Sequence, residues 1–436
     1  GANTFSGGTI INIGAVAVAG SNAAFGAGGV TLDNGTVQAG ADNLDLANAT
    51  SLGNGGGTLD TQTHTLTLLG GIGDVGGESG SLTKTGSGTL VLANTGTYTG
   101  ATTIEAGTLT AGVDQALPAS TAVAVNSGAT LRIADNTLAT IGSLADGSSG
   151  GGTVSIGAAA GLSIGNNGAD AASTTFSGII SGASIDNALQ YAGGGTLMLT
   201  GTGSQIGGTL MMGTPALSRT GPAGELKIDG GTFEAGSGVF VLDGKLTVSG
   251  GATLTSNAPA IVSGTNTAQV LVTGTGSNLN VANGMTVGNF PSFPGPAYGK
   301  LTIADGGTVT VTTNSNVDIG ADGILELGTG GLAGTFAGPS IQNDGQIVAN
   351  FTDSSALAAT VLGNGSITKQ GGGTLTLSGA SNSYSGGTLL QGGALELTNS
   401  SSLGAGALTM DASTTLLIQS SFGSFSNDVT LNGDAT

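Results

Sequence analysis

Apolar and polar residues alternate in short runs along almost the whole chain. Thr58-Leu-Asp-Thr-Gln-Thr-His-Thr-Leu-Thr-Leu (at its two ends), Lys245-Leu-Thr-Val, Lys300-Leu-Thr-Ile and Thr308-Val-Thr-Val-Thr alternate apolar with polar side chains. Alternation of this period predicts half-buried strands, and helical periodicity is nearly absent. Asn-Gly and Asp-Gly turn pairs punctuate the runs, for example at Asn34, Asn54, Asp229 and Asp243. Such pairs can close two-residue antiparallel hairpins, but their spacing points elsewhere. From Asn283 to Asp305, Asp322, Asp344 and Asn364 the steps are 22, 17, 22 and 20 residues. One turn per roughly 20 residues, with short strands between, fits one coil of a right-handed parallel β-helix. Stacked coils set like residues above like at about 4.8 Å, so the chain predicts an all-β solenoid of roughly 20 coils and roughly 90 Å. A single unit over residues 1–436, without a separate globular domain, is expected.

A longer pattern overlies the strands. Gly80-Ser-Leu-Thr-Lys-Thr-Gly-Ser-Gly-Thr-Leu-Val-Leu, then Tyr98-Thr-Gly-Ala-Thr-Thr-Ile, then Gly107-Thr-Leu returns as Gly365-Ser-Ile-Thr-Lys-Gln-Gly-Gly-Gly-Thr-Leu-Thr-Leu, Tyr384-Ser-Gly-Gly-Thr-Leu-Leu and Gly393-Ala-Leu. Clear copies thus occupy 80–109 and 365–395, and a partial copy opens the chain at 1–16. A worn copy lies at 194–210, where Tyr191-Ala stands in place of the Thr-Lys step. Gly-rich coils over 211–335 carry looser Gly-Gly-Thr units and two long loops.

This unit resembles the passenger-associated transport repeat of Gram-negative autotransporters. The residues that carry the resemblance are Leu82-Thr-Lys-Thr-Gly-Ser-Gly-Thr with Tyr98-Thr-Gly, and Ile367-Thr-Lys-Gln-Gly-Gly-Gly-Thr with Tyr384-Ser-Gly. The resemblance implies an extracellular β-helix, exported by the type V route through a C-terminal outer-membrane barrel of the same protein. The barrel and an N-terminal signal are expected outside this fragment.

Composition narrows the function. The net charge is −19, from seven Lys and Arg against 26 Asp and Glu. Phosphate backbones repel such a chain, so nucleic acid is excluded as a partner. The simplest use of the charge is solubility of a long, otherwise neutral surface. There is no Cys, so no disulfide, thiolate chemistry or Cys-based metal site can form.

No catalytic, cofactor or metal site emerges. Gly77-Glu-Ser-Gly-Ser echoes a serine nucleophile loop, with His64 and Asp74 nearby in sequence. Yet a triad requires an oriented imidazole base and an oxyanion hole, and this His sits inside an alternating Thr strand. Asp and Glu are scattered singly, without the paired carboxylates of glycoside cleavage.

One feature departs from repeat filler. Gly213-Thr-Pro-Ala-Leu-Ser-Arg-Thr-Gly-Pro-Ala-Gly leads into Glu225-Leu-Lys-Ile, and Gly288-Asn-Phe-Pro-Ser-Phe-Pro-Gly-Pro-Ala-Tyr-Gly leads into Lys300-Leu-Thr-Ile. These two insertions hold five of the eight prolines and should project from one side, roughly 14 to 19 Å apart. Phe290, Phe293 and Tyr298 are candidate apolar anchors there, with Arg219 the nearest cation; aromatic and Arg side chains dominate interface hot spots. The sequence therefore reads as a non-enzymatic adhesin or self-association stalk whose partner is a host or neighbouring-cell surface protein or glycan, or a second copy. The alternatives are an inert spacer for an enzymatic domain elsewhere and, further off, a polysaccharide-degrading β-helix.

Overall fold

The computed structural model describes residues 3–165, 172–213, 223–264, 268–288, 297–312, 315–419 and 424–433. Contacts gather the chain into two compact units, one built from Gly1–Leu210 and the other from Glu225–Thr436. Among the described residues the regular structure is all strand, and strands of successive coils pair in parallel. Each unit is a parallel β-helix, and the strands make about 18 turns in all. That is fewer than roughly one turn per 20 residues gives, because many coils in both units are longer: Val154 stacks on Ile180, 26 residues away. Leu375 stacks on Leu395, 20 residues away, whereas Val270 stacks on Leu301, 31 residues away across the second Pro-rich insertion.

Alternation sorts each strand into an inner and an outer row, since successive side chains point to opposite faces. In the first unit Leu66, Leu90, Leu109, Leu131, Val154 and Ile180 stack as one inner row and are all buried. One residue earlier, Thr65, Thr89, Thr108, Thr130 and Thr153 form the outer row of the same sheet. In the second unit Leu226, Leu246, Val270, Leu301, Leu325 and Ile347 repeat the inner row. Full burial of each such side chain contributes about 1.5–3 kcal/mol, so cohesion is spread evenly along the ladder.

The turn pairs make corners between parallel strands instead of hairpins. Asn34, Asn283 and Asp305 take positive φ (57°, 63° and 52°) immediately before a Gly, a conformation in which short polar residues are enriched. Carboxylates tie corner to corner: Asp33 accepts from Gly55 N at 2.8 Å, Asp42 from Thr65 N at 2.8 Å, and Asp344 from Asn364 N at 2.9 Å. Part of the acidic composition therefore satisfies backbone donors of the neighbouring coil, beyond its contribution to solubility.

Candidate functional site

The strands that follow the two Pro-rich insertions belong to one sheet of the second unit. Glu225–Asp229 pairs with Lys245–Ser249, then Gln269–Thr273, then Gly299–Ala304. Three steps separate the strands at the insertion ends, about 14 Å. Phe290, Phe293 and Arg219 lie outside the described residues. Tyr298 is half-buried, and its carbonyl accepts from Gly264 N at 2.9 Å in an antiparallel bridge.

This sheet also gathers the surface lysines. Its outer row runs Glu225, Lys245, Gln269, Lys300, Ile324, Gln346 and Ser366. Lys245 pairs with Glu225 at 3.2 Å, Lys300 with Glu326 at 2.9 Å and Lys227 with Asp229 at 3.3 Å. Hydrogen bonds to the carboxylates complete the lattice, from Ser249 to Asp229 at 2.6 Å and from Thr302 to Glu326 at 3.0 Å. The Ser249 hydroxyl, followed by Lys227, holds the Asp229 carboxyl below its ordinary range against the opposing effect of burial. The six charges sum to zero, three Lys against Glu225, Asp229 and Glu326. In a chain of net charge −19, this face carries no net charge of its own. The row ends in a shallow groove of about 560 Å³ whose polar lining includes Gln346, Ser366, Thr368, Ser385 and Thr409.

The two strict repeat copies build a second arrangement, twice. Lys84 is fully buried, and its Nζ donates to the carbonyls of Thr85 (2.8 Å), Gly86 (2.8 Å) and Ala106 (3.0 Å). Lys369, equally buried, donates to the carbonyls of Gln370, Gly371 (2.9 Å) and Gly392 (3.3 Å). Burial pushes both amines down to about 8, opposed at Lys84 by the charge of Asp60. In each cage one acceptor comes from the coil above. The corners need Gly: Gly86 and Gly107 have φ of 76° and 64°, Gly371 and Gly393 of 70° and 67°. A Cβ on Gly107 would meet Gly88 O at 2.3 Å, and one on Gly393 would meet Gly373 O at 2.3 Å.

The repeat tyrosines lie inside the coils. Tyr98 and Tyr384 are fully buried, with hydroxyls bonded to Thr102 Oγ1 at 2.6 Å and Thr388 Oγ1 at 2.7 Å. Burial pushes both phenols well above their ordinary range, so they stay neutral. In the sequence these Lys and Tyr residues stand out only as marks of the repeat. The signal for Lys84 was its parity, because it shares the inward phase of Leu82.

The residues of the nucleophile-like loop have structural partners. Asp74 accepts from Gly80 N (2.9 Å), Thr99 N (2.9 Å) and Thr99 Oγ1 (2.7 Å), and Thr99 Oγ1 in turn accepts from Ser79 Oγ at 2.8 Å. Among the described residues no group of three or more His, Cys, Asp and Glu could hold a metal ion.

Comparison with known proteins adds two findings. A family model described as passenger-associated-transport-repeat matches residues 1–18, 82–111 and 367–397. Over 233 residues the chain is 31% identical to the Adhesin BmaC autotransporter of Brucella suis biovar 1 (strain 1330), an alignment that takes in 45% of this chain and 7% of that protein. No solved structure matches.

Proposed function

Because the chain belongs to the autotransporter passengers, whose transport repeat it carries, we propose that residues 1–436 are one passenger segment of a surface-displayed, non-enzymatic adhesin. Export through the outer membrane by a C-terminal barrel of the same protein is part of this reading. The similarity to a protein named as an autotransporter adhesin supports it, and the observation that carries it is the charge-balanced outer face from Glu225 to Ser366. On that face the ionic groups are already paired, so contact with a neutral glycan or protein surface, or with a second copy, leaves no stranded charge. The two Pro-rich insertions, which in sequence lead into the strands Glu225–Asp229 and Gly299–Ala304, serve in this reading as contact loops, with Phe290, Phe293 and Tyr298 as anchors and Arg219 as cation. Proline restricts their unbound conformations and lowers the ordering cost of binding.

The test displays residues 1–436 on a non-adherent bacterium and measures adhesion to host cells and autoaggregation. Wild type should adhere or aggregate. Replacing residues 289–298 by a short Asp-Gly turn, or reversing charge with Lys245→Glu and Lys300→Glu, should reduce the effect while protease resistance is retained. Undiminished binding by folded variants moves the contact elsewhere. A spacer is the rival reading, supported by the uniform Thr rows of the first unit, and it gains if folded wild type neither adheres nor aggregates.

A further inference from the structure

We propose that Lys84 and Lys369 are register keys, buried cations whose acceptor cage is completed only when the coil carrying the lysine is stacked in its native register under the next coil.

Each lysine occupies an inward row that is otherwise apolar around it. Lys84 stacks between Leu59 and Ile104, with Val37 below and Val125 above. Lys369 stacks between Ala349 and Leu390, with Leu327 below and Met410 above. Cohesion alone does not call for a charge there. Buried ionic groups replaced by well-packed apolar residues often leave stability unchanged or raise it. A lysine in this row therefore serves something other than net stability.

Repetition is what creates the need. The inner rows are interchangeable aliphatics and the outer rows are Thr over Thr. Sliding a strand by two residues keeps every side chain on its proper face, so alternation alone discriminates poorly between native and slipped stacks. The cage does discriminate. Two of its acceptors are set by the chain just after the lysine, and the third arrives from the next coil: Ala106 O beside Gly107 in one repeat, Gly392 O beside Gly393 in the other. A slipped coil removes that acceptor and leaves a buried ammonium with one N–H unpaired among apolar side chains, which is unfavourable. The fourth side of the cage varies between copies. Near Lys84 stands the Asp60 carboxylate, whereas Lys369 lies 4.9 Å from the centroid of the buried Phe351 ring. What the two copies share is the carbonyl triplet. Counted back five residues from the Thr of the Gly-Thr-Leu unit, the position held by Lys84 and Lys369 falls in the worn copy on Tyr191 and not on Ala192, where the Thr-Lys alignment of the sequence puts it, and Tyr191 is buried.

The absence of Cys makes register directly measurable by crosslinking. Thr83 opposes Thr103, and Thr368 opposes Leu389. Adjacent parallel strands lie within disulfide reach. Full-length chains carrying T83C with T103C report the native register, and T83C with E105C report a two-residue slip. The pairs T368C with L389C and T368C with Q391C do the same in the second repeat. Each pair is combined with the native lysine or with Lys84→Met or Lys369→Met, refolded from urea and oxidised. The slipped crosslink should rise about tenfold or more in the Met chains, because the penalty on the slipped state is gone, and Lys227→Met should leave it unchanged. Equal slipped crosslinking with Lys and Met in both repeats would overturn the proposal. Met chains that lose native crosslinks without gaining slipped ones would overturn it too, because the lysines would then be plain stabilisers.

Discussion

The coils at Leu82–Ala111 and at residues 367–397 are the same inside and different outside. Inside, each has a buried lysine in a carbonyl cage, a positive-φ Gly at both cage corners, and a buried tyrosine bonded to the Thr four residues on. Outside, they diverge. At the first, Asp74, Ser79 and Thr99 bond one another across the corner. At the second, Ser385 donates to Asn364 at 3.3 Å beside an open, hydroxyl-lined groove. The two coils teach that the transport repeat is an interior specification. It fixes how a coil stacks and leaves the outer face free to vary.

The largest expected effect comes from emptying the shared interior. Tyr98→Ala and Tyr384→Ala should each destabilise by about 3–5 kcal/mol, as for other buried aromatic truncations, read as lower denaturant midpoints. Phe at either position should cost only about 1 kcal/mol, the scale of one net hydrogen bond. If Tyr98→Ala is mild while Tyr384→Ala is severe, the two interiors are not equivalent.

Next come the cage corners. Gly107→Ala and Gly393→Ala put a Cβ at 2.3 Å from a carbonyl oxygen at φ of 64° and 67°. Each should cost about 1–3 kcal/mol, the scale of local backbone strain. Hydrogen exchange should rise first in the strands Thr108–Ala111 and Ala394–Leu397, with little change in the other unit.

The pH dependence separates lysines from carboxylates. Both buried lysines have folded values of about 8 against an ordinary 10.5. The folded state therefore binds fewer protons between these values, and stability rises with pH there. Wild type should gain on the Lys84→Met, Lys369→Met double variant as pH moves from 8 to 10.5, measured as the difference in midpoint. Asp229 is held low by the Ser249 hydroxyl and Glu396 by Gln419 and Thr376. Their contribution is present at neutral pH and is lost as pH falls below the ordinary carboxylate values of about 4. A midpoint that fell steadily from pH 8 to 10.5 would contradict the lysine assignment.

The smallest effect on stability should come from the outer face. Lys245→Glu and Lys300→Glu break half-exposed pairs, and such pairs contribute about 0–1 kcal/mol. Thermal unfolding should shift little in either variant.

Much of this was legible in the chain. Leu82-Thr-Lys-Thr and Lys245-Leu-Thr-Val announced strands by parity, and the 17–22-residue turn spacing announced stacked coils. Asn34 and Asp305 were readable as turn residues, but only the stacking showed that they turn corners between parallel strands. The lysine cages were hidden because residue type and parity disagree at Lys84 and Lys369. Charge argues outward, alternation argues inward, and a carbonyl cage completed by another coil resolves the conflict. The face at Lys245 and Lys300 was hidden for a related reason, since its rows join residues 20 to 31 positions apart. The insertions were visible through their prolines, yet Phe290, Phe293 and Arg219 lie outside the described residues.

One measurement tests the separation of interior from face most directly. Wild type, the Lys245→Glu, Lys300→Glu variant and the Lys84→Met, Lys369→Met variant are displayed on cells, and adhesion is scored per protease-resistant molecule. The account predicts that the face variant loses most of its adhesion at wild-type resistance. It also predicts that the interior variant yields fewer resistant molecules, each adhering as wild type does. Full adhesion by a resistant face variant, or lost adhesion by resistant molecules of the interior variant, would contradict it.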